Sequence, residues 1–160
     1  MKKFNLFCLF IIIFLPINSN SNKKKYIELM KSCLTGLIYQ DDGFQTKFNS
    51  ETREEGLDRP SIAHTMIGLK RINNIQFCIE KILKNKIPGD LIETGVWRGG
   101  AVIFMKAMLA ANNVNDRIVW VADSFEGLPA ANVQKYPEDK EFNFLHEAKE
   151  LKISLKTVKK

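Results

Sequence analysis

The stretch Gly89 to Gly100, GDLIETGVWRGG, limits what this chain can fold into more than any other part of it. Asp90 to Thr94 reads as a short strand. Gly95 permits a positive φ, and Gly99 and Gly100 allow backbone to approach a ligand closely. The apolar run Ala101 to Ala111 continues as a buried helix. A strand that enters a helix through a glycine-rich turn leaves unpaired N–H groups and the positive end of the helix dipole facing the crevice above the strand. That crevice suits a nucleotide-like or carboxylate-bearing ligand, whereas glycines that only make a tight βα turn need none.

The next strand favours the ligand. Arg117 to Asp123, RIVWVAD, is a near-continuous apolar run ending in an acid, as expected of a parallel strand buried on both faces. Asp123 lies 28 positions after Gly95. In doubly wound sheets an acid at the end of the second strand accepts hydrogen bonds from ribose hydroxyls, usually about 20 residues past the glycine turn. The following SFEGLP is a turn at the carboxyl end of that strand, where open α/β sheets bind ligands.

The remaining chain supplies helices and loops. Residues 24–39 carry Tyr26, Leu29, Met30, Cys33, Leu34, Leu37 and Ile38 at helical spacing. Residues 40–60 are polar, with Asp41, Asp42 and Gly43 marking a solvated turn in a lid-like loop. A helix is expected over Ser61 to Lys86, with Met66, Leu69, Ile72, Ile75, Ile79, Ile82 and Leu83 on one face and Ser61 or Thr65 as its cap. His64, at its start, is read as structural. Ala130 to Phe144 reads as a loop, and Ser154 can cap a short final helix.

Composition narrows the partners. With 160 residues there is room for one domain, and 45% hydrophobic residues describe a globular protein. The net charge of +6 is too mild and dispersed to argue for nucleic acid. Cys8, Cys33 and Cys78 lie in apolar or helical runs and read as buried free thiols; with two histidines and no CxxC, a histidine-based metal centre is not expected.

Residues 1–22 form a targeting-like segment: Lys2 and Lys3 precede the apolar run Phe4 to Ile17, followed by a polar Asn/Ser stretch. Fourteen apolar residues are short for a membrane span and suit a signal core. The alternatives are a cleaved signal ending near Ser21, which implies secretion, an uncleaved anchor on residues 4–17 that leaves the domain facing the cytoplasm, and a mis-assigned start codon. Residues 23–160 form the domain.

Four blocks in order, YIELMKSCLTGLIYQD, AHTMIGLKRINNIQFCIE, PGDLIETGVWRGGAVIFMKAML and VWVADSFEGLP, resemble the macrocin O-methyltransferase family. The resemblance implies a Rossmann-like α/β fold of the class I S-adenosylmethionine-dependent methyltransferases, truncated after the second strand and preceded by helices. It implies S-adenosylmethionine as cofactor and a hydroxyl of a sugar or similar small molecule as methyl acceptor. Residue by residue, Glu93, Thr94, Gly95, Val96 and Trp97 would line the methionine part of the cofactor. Asp123 would hold its ribose, Ser124, Phe125, Glu126 and Gly127 would approach its adenosine, and Thr65 and Met66 would close over it. His64 would be positional.

Family members are longer, and the magnesium-binding aspartates and the general base lie in motifs such as LRLDGDLYES and VDDYG, which are missing here. No catalytic or metal-binding residue is therefore carried over, and the chain alone is expected to be inactive. The competing reading is a non-enzymatic remnant or split-protein fragment that binds a nucleotide or a partner chain; a homo-oligomer is compatible with either. A nicotinamide-binding domain fits poorly, because Trp97 stands where a second glycine would admit the pyrophosphate. A nucleoside triphosphatase fits less well still, because no phosphate loop is present.

Overall fold

A computed structural model describes residues 20–159 of the chain. The targeting-like run on residues 4–17 and Cys8 lie outside the described residues. The helices are α1 (Asn20–Leu34), α2 (Ser50–Glu55), α3 (Gly68–Lys84), α4 (Gly100–Ala111) and α5 (Leu155–Val158). Strands β1 (Leu91–Thr94) and β2 (Val119–Ala122) flank α4, and 3-10 helices span Pro137–Glu147 and Lys149–Leu151. None of the described helices is long and apolar enough to cross a membrane.

Apolar side chains three and four residues apart bring α1, α3 and α4 together. Tyr26, Ile27, Met30 and Leu34 of α1 meet Ile72 and Ile79 of α3 and Phe104, Ala107, Met108 and Ala111 of α4 in one buried cluster. Each large side chain withdrawn from water there contributes about 1.5–3 kcal/mol. The α1 stripe is rotated from the sequence expectation: Ile27 is inside, while Leu29 and Ile38 are exposed.

Several element boundaries differ from expectation. α1 begins at Asn20, within the stretch read as leader, and stops at Leu34 rather than residue 39. Its end is fixed by tertiary bonds, since the Leu34 carbonyl accepts from both His64 N–H and Thr65 N–H at 3.0 Å. That same pairing keeps residues 61–67 out of α3, which starts at Gly68, so neither Ser61 nor Thr65 caps it. The 130–144 segment, expected as a loop, becomes 3-10 helix from Pro137 and buries none of its side chains. Cys33 and Cys78 are free thiols as expected, but Cys33 is half-buried and Cys78 exposed.

The two strands pair in parallel, with Leu91 opposite Val119 and Thr94 opposite Ala122. One sheet face packs on α4. The other is open, leaving Ile92 60% and Trp120 53% exposed, so β2 is not buried on both faces. Carboxylates secure both ends of this small sheet. At the lower end Asp90 accepts from Ile118 N–H at 2.9 Å and from the Trp120 indole N–H at 2.8 Å. At the upper end Asp123 has the corresponding position.

The polar stretch 40–60 is built around a buried cation rather than left as a solvated loop. α2 is capped by the Asn49 side chain, which accepts from Thr52 N–H, and ends at Gly56 in the left-handed conformation. It places Arg53, 1% exposed, between Asp41 and Asp58. The Arg53 Nη1 and Nη2 groups also donate to the carbonyls of Thr35 and Asp41. Burial alone would raise the Asp41 pKa, but N–H donors from Ile62, Arg53 and Ala63 outweigh it and hold that carboxyl below its ordinary range. Only Asp42 is the exposed turn acid that the sequence suggested, paired with Lys47. Arg53→Ala would leave two buried carboxylates uncompensated, and urea denaturation should show a loss of about 3–5 kcal/mol. A loss below about 1 kcal/mol would show that the cluster does not organise this region.

Candidate functional site

The carboxyl ends of β1 and β2 open onto a cleft of about 480 Å³, lined by Met66, Gly95, Trp97, Asp123, Ser124 and Gly127, with Ala122, Leu128, Pro129 and Leu151 completing the wall. The first six are residues picked from the sequence. Gly95 has φ +87°, and a Cβ placed on it would meet nothing within 4 Å, so its missing side chain leaves open space over the turn. Gly100 serves a different purpose from the expected ligand approach. A Cβ there would stand 2.5 Å from the His64 carbonyl oxygen, which accepts from Gly100 N–H at 2.9 Å. The glycine lets the His64–Thr65 backbone dock against the start of α4.

The other sequence-picked residues stand behind or beside the cleft. Thr65 is buried, and its hydroxyl oxygen accepts from Ile67 N–H at 3.3 Å. Val96 is buried, Thr94 is exposed, Phe125 is half-buried in the second turn, and Glu126 is exposed with its N–H on the Ser124 hydroxyl. Trp97 and Phe125 both have positive φ, 49° and 58°, which costs each turn about 1 kcal/mol or more. Leu151 reaches the cleft from far downstream, and no motif in its neighbourhood signals this. His64 is structural as read: burial, then the Arg98 charge, keeps its ring pKa low.

The turn's donors are already engaged. Val96 N–H donates to Asp123 Oδ2 at 2.6 Å and Phe125 N–H to Oδ1 at 2.7 Å, so one carboxylate clasps both turns. Gly95 N–H goes to the Ala122 carbonyl and Gly99 N–H to the Val96 carbonyl. The Val96 N–H bond leads the effects that lower the Asp123 pKa. Little donor capacity is left for an anion, contrary to the expectation of free N–H groups.

Beneath the turn lies a second acid. Glu93 Oε2 is buried without a hydrogen-bond partner. Desolvation raises its pKa to about 7; the Val102 N–H opposes that shift and the nearby Asp123 charge adds to it. The cleft thus holds two carboxyl groups, engaged turn amides, an indole and small apolar walls. Such a site favours a ligand with cationic and hydroxyl groups over a phosphate. Among the described residues no group of three or more His, Cys, Asp or Glu side chains is placed to hold a metal ion.

Comparison with known proteins matches residues 43–160 to the family profile of macrocin-O-methyltransferase (TylF). The chain is 48% identical over 143 residues to mycinamicin III 3''-O-methyltransferase of Micromonospora griseorubida, an alignment spanning 84% of this chain and 56% of that protein. It is 50% identical over 127 residues to the 8-demethyl-8-(2,3-dimethoxy-alpha-L-rhamnosyl)-tetracenomycin-C 4'-O-methyltransferase of Streptomyces olivaceus, covering 76% of this chain and 48% of that one. The solved structure of the O-methyltransferase NovP superposes with a TM-score of 0.80 at 44% identity, over 85% of this chain and 56% of that one. The chain spans about half the length of the curated relatives it matches. Its fold is therefore the Rossmann-like methyltransferase fold, represented by its first two strands and the helices before and between them.

Because folded Glu93 has a pKa near 7 against an ordinary 4.5, the native state holds its proton more tightly than the unfolded chain. Stability should be greatest below about pH 4.5 for this group and decline as pH rises through about 7, by about 1–2 kcal/mol after allowance for solvent. Glu93→Gln should flatten that part of a pH series of urea melts; an unchanged slope would assign the trend elsewhere.

Proposed function

The chain belongs to the macrocin-O-methyltransferase family, and on that premise we propose that its cleft holds S-adenosylmethionine for methylation of a hydroxyl on a sugar-bearing small molecule. The observation that carries this reading is the chemistry of the cleft. It has carboxyl groups at Glu93 and Asp123 and few unengaged turn amides, which suits a cation bearing a ribose diol and disfavours a pyrophosphate. The open space above Gly95 and the 480 Å³ volume fit an extended ligand of this kind.

Each residue then has a physical task. A carboxylate has about four acceptor positions, and two on Asp123 are taken by Val96 and Phe125 N–H groups, leaving capacity for ribose hydroxyls. Glu93 ionises more readily beside a cation, so ligand uptake near neutral pH would release part of a proton. Trp97 and Met66 wall the cleft, while Ser124 and Gly127 shape its second turn. When bound, S-adenosylmethionine supplies a methyl group on a sulfonium, which an acceptor oxygen attacks in line as the S–CH₃ bond breaks and the hydroxyl proton passes to a base. The described residues account for alignment and charge, and no base is assigned among them. Magnesium, which the resemblance implies for longer members, finds no ligand set among the described residues.

A second reading, a chain that works only when paired with another, is favoured by the uncovered sheet face at Ile92 and Trp120. The two readings are compatible if the partner supplies the base.

Calorimetric titration with S-adenosylhomocysteine should show saturable binding to the chain. Asp123→Ala should weaken it by about tenfold or more, through loss of both the acceptor and the clasp. Equal affinity of parent and variant would contradict the assignment.

A further inference from the structure

A second cleft lies beside the first, about 560 Å³ in volume, between the 43–60 segment and residues 144–150. Phe44, Leu57 and Phe144 line it, and they are 47%, 76% and 63% exposed. Gln45, Arg59 and Glu150 give it polar groups, with Arg59 Nη1 donating to Glu150 Oε1 at 2.7 Å. Its volume is within the range of small-molecule sites.

The two clefts share a wall. Glu150 lines the second and Leu151 the first. The Trp97 indole N–H, which belongs to a residue of the first cleft, donates to the Glu150 carbonyl at 2.7 Å. On the other side of the same turn the Arg98 guanidinium stacks 4.1 Å from the Trp97 ring centroid and 5.8 Å from that of Phe44, which lines the second cleft. Lys152 continues the wall against Gly127, where a Cβ would come within 3.2 Å of the lysine Cβ. One strand of chain, 150–152, is therefore fixed to both turns of the first cleft and to Arg59 of the second.

The charges in the second cleft are largely compensated. Asp58 is paired with Arg53, and Arg59 with Glu150, so the cleft offers no excess cation for a phosphate or carboxylate. What remains is a ring of exposed apolar side chains around hydrogen-bonding groups. A ligand that complements it has an apolar face and several neutral hydroxyls: aromatic rings pack on the C–H faces of a sugar, and a guanidinium or carboxylate pairs with its hydroxyls.

We propose that this second cleft is the acceptor subsite, that it takes an uncharged glycoside with an apolar aglycone, and that Glu150 and Leu151 are the partition along which acceptor and cofactor meet. The proposal rests on the methyltransferase reading for its cofactor, but the cleft can be tested independently.

The probe is n-octyl β-D-glucopyranoside, kept below its micelle-forming concentration and titrated into the full chain by calorimetry, with glucose 1-phosphate as the anionic comparison. Saturable binding of the octyl glucoside is expected, with glucose 1-phosphate bound about tenfold more weakly or not at all. Phe144→Ser and Leu57→Ser, both at exposed positions, should each weaken the octyl glucoside by about tenfold. Ile92→Ser, on the open sheet face, should leave it unchanged. Binding that Ile92→Ser abolishes and Phe144→Ser spares would be adsorption to the sheet face and would overturn the proposal, as would preference for the phosphate. A chain that binds S-adenosylhomocysteine but not the octyl glucoside would also overturn it. The converse, glycoside binding sensitive to Phe144 with no binding of S-adenosylhomocysteine, would uphold the subsite and overturn the cofactor reading instead.

Discussion

The Asp123 carboxylate is the contact on which the ligand end of this chain depends. Two parallel strands of four residues have little ladder energy of their own, and the turns that leave them carry Trp97 and Phe125 at unfavourable positive φ. By accepting from Val96 N–H and Phe125 N–H, Asp123 ties the end of β1 to the end of β2 and offsets that strain. It also uses the amides that would otherwise form an anion site. One carboxylate thus sets the geometry of the cleft and the sign of the charge it accepts.

The support for this clasp comes from behind. Leu34, His64 and Gly100 form a relay of backbone hydrogen bonds from the end of α1 through the 61–67 segment to the start of α4. Arg53, bonded to Thr35 and to Asp41, fixes the residues that follow α1. Asp41 in turn holds Ile62 and Ala63 N–H, and Arg98 Nη1 donates to the Ala63 carbonyl. The glycine turn is therefore held from three sides by polar contacts that the apolar core of α1, α3 and α4 places in register.

Much of this was legible in the sequence where a residue type has few roles. Gly95, with φ +87°, and Asp123, at the end of an apolar strand, could be read from residue chemistry and spacing alone. The helical stripes gave the core, apart from the rotation that brings Ile27 inside. What was not legible depends on distant partners. Nothing local distinguishes buried Asp41 from exposed Asp42, because the difference is made by Arg53. Gly100 looked like a ligand-approach glycine because the His64 carbonyl that fills its space is 36 positions away in the chain. Leu151 entered the cleft without any motif, since its place follows from the Trp97–Glu150 bond. The apolar β2 pattern matched a strand covered on both faces, while in the described residues one face is open.

The most direct test of the central claim, that the two clasped turns form the cofactor half of a methyltransferase site, is a site-resolved one. Backbone amide NMR of the ¹⁵N-labelled chain, followed during titration with S-adenosylhomocysteine, should show the largest shifts at Gly95, Val96, Asp123 and Gly127, with Ile72 and Ile79 of the core unmoved. Shifts absent from both turns, or concentrated on the open sheet face at Ile92 and Trp120, would contradict the account.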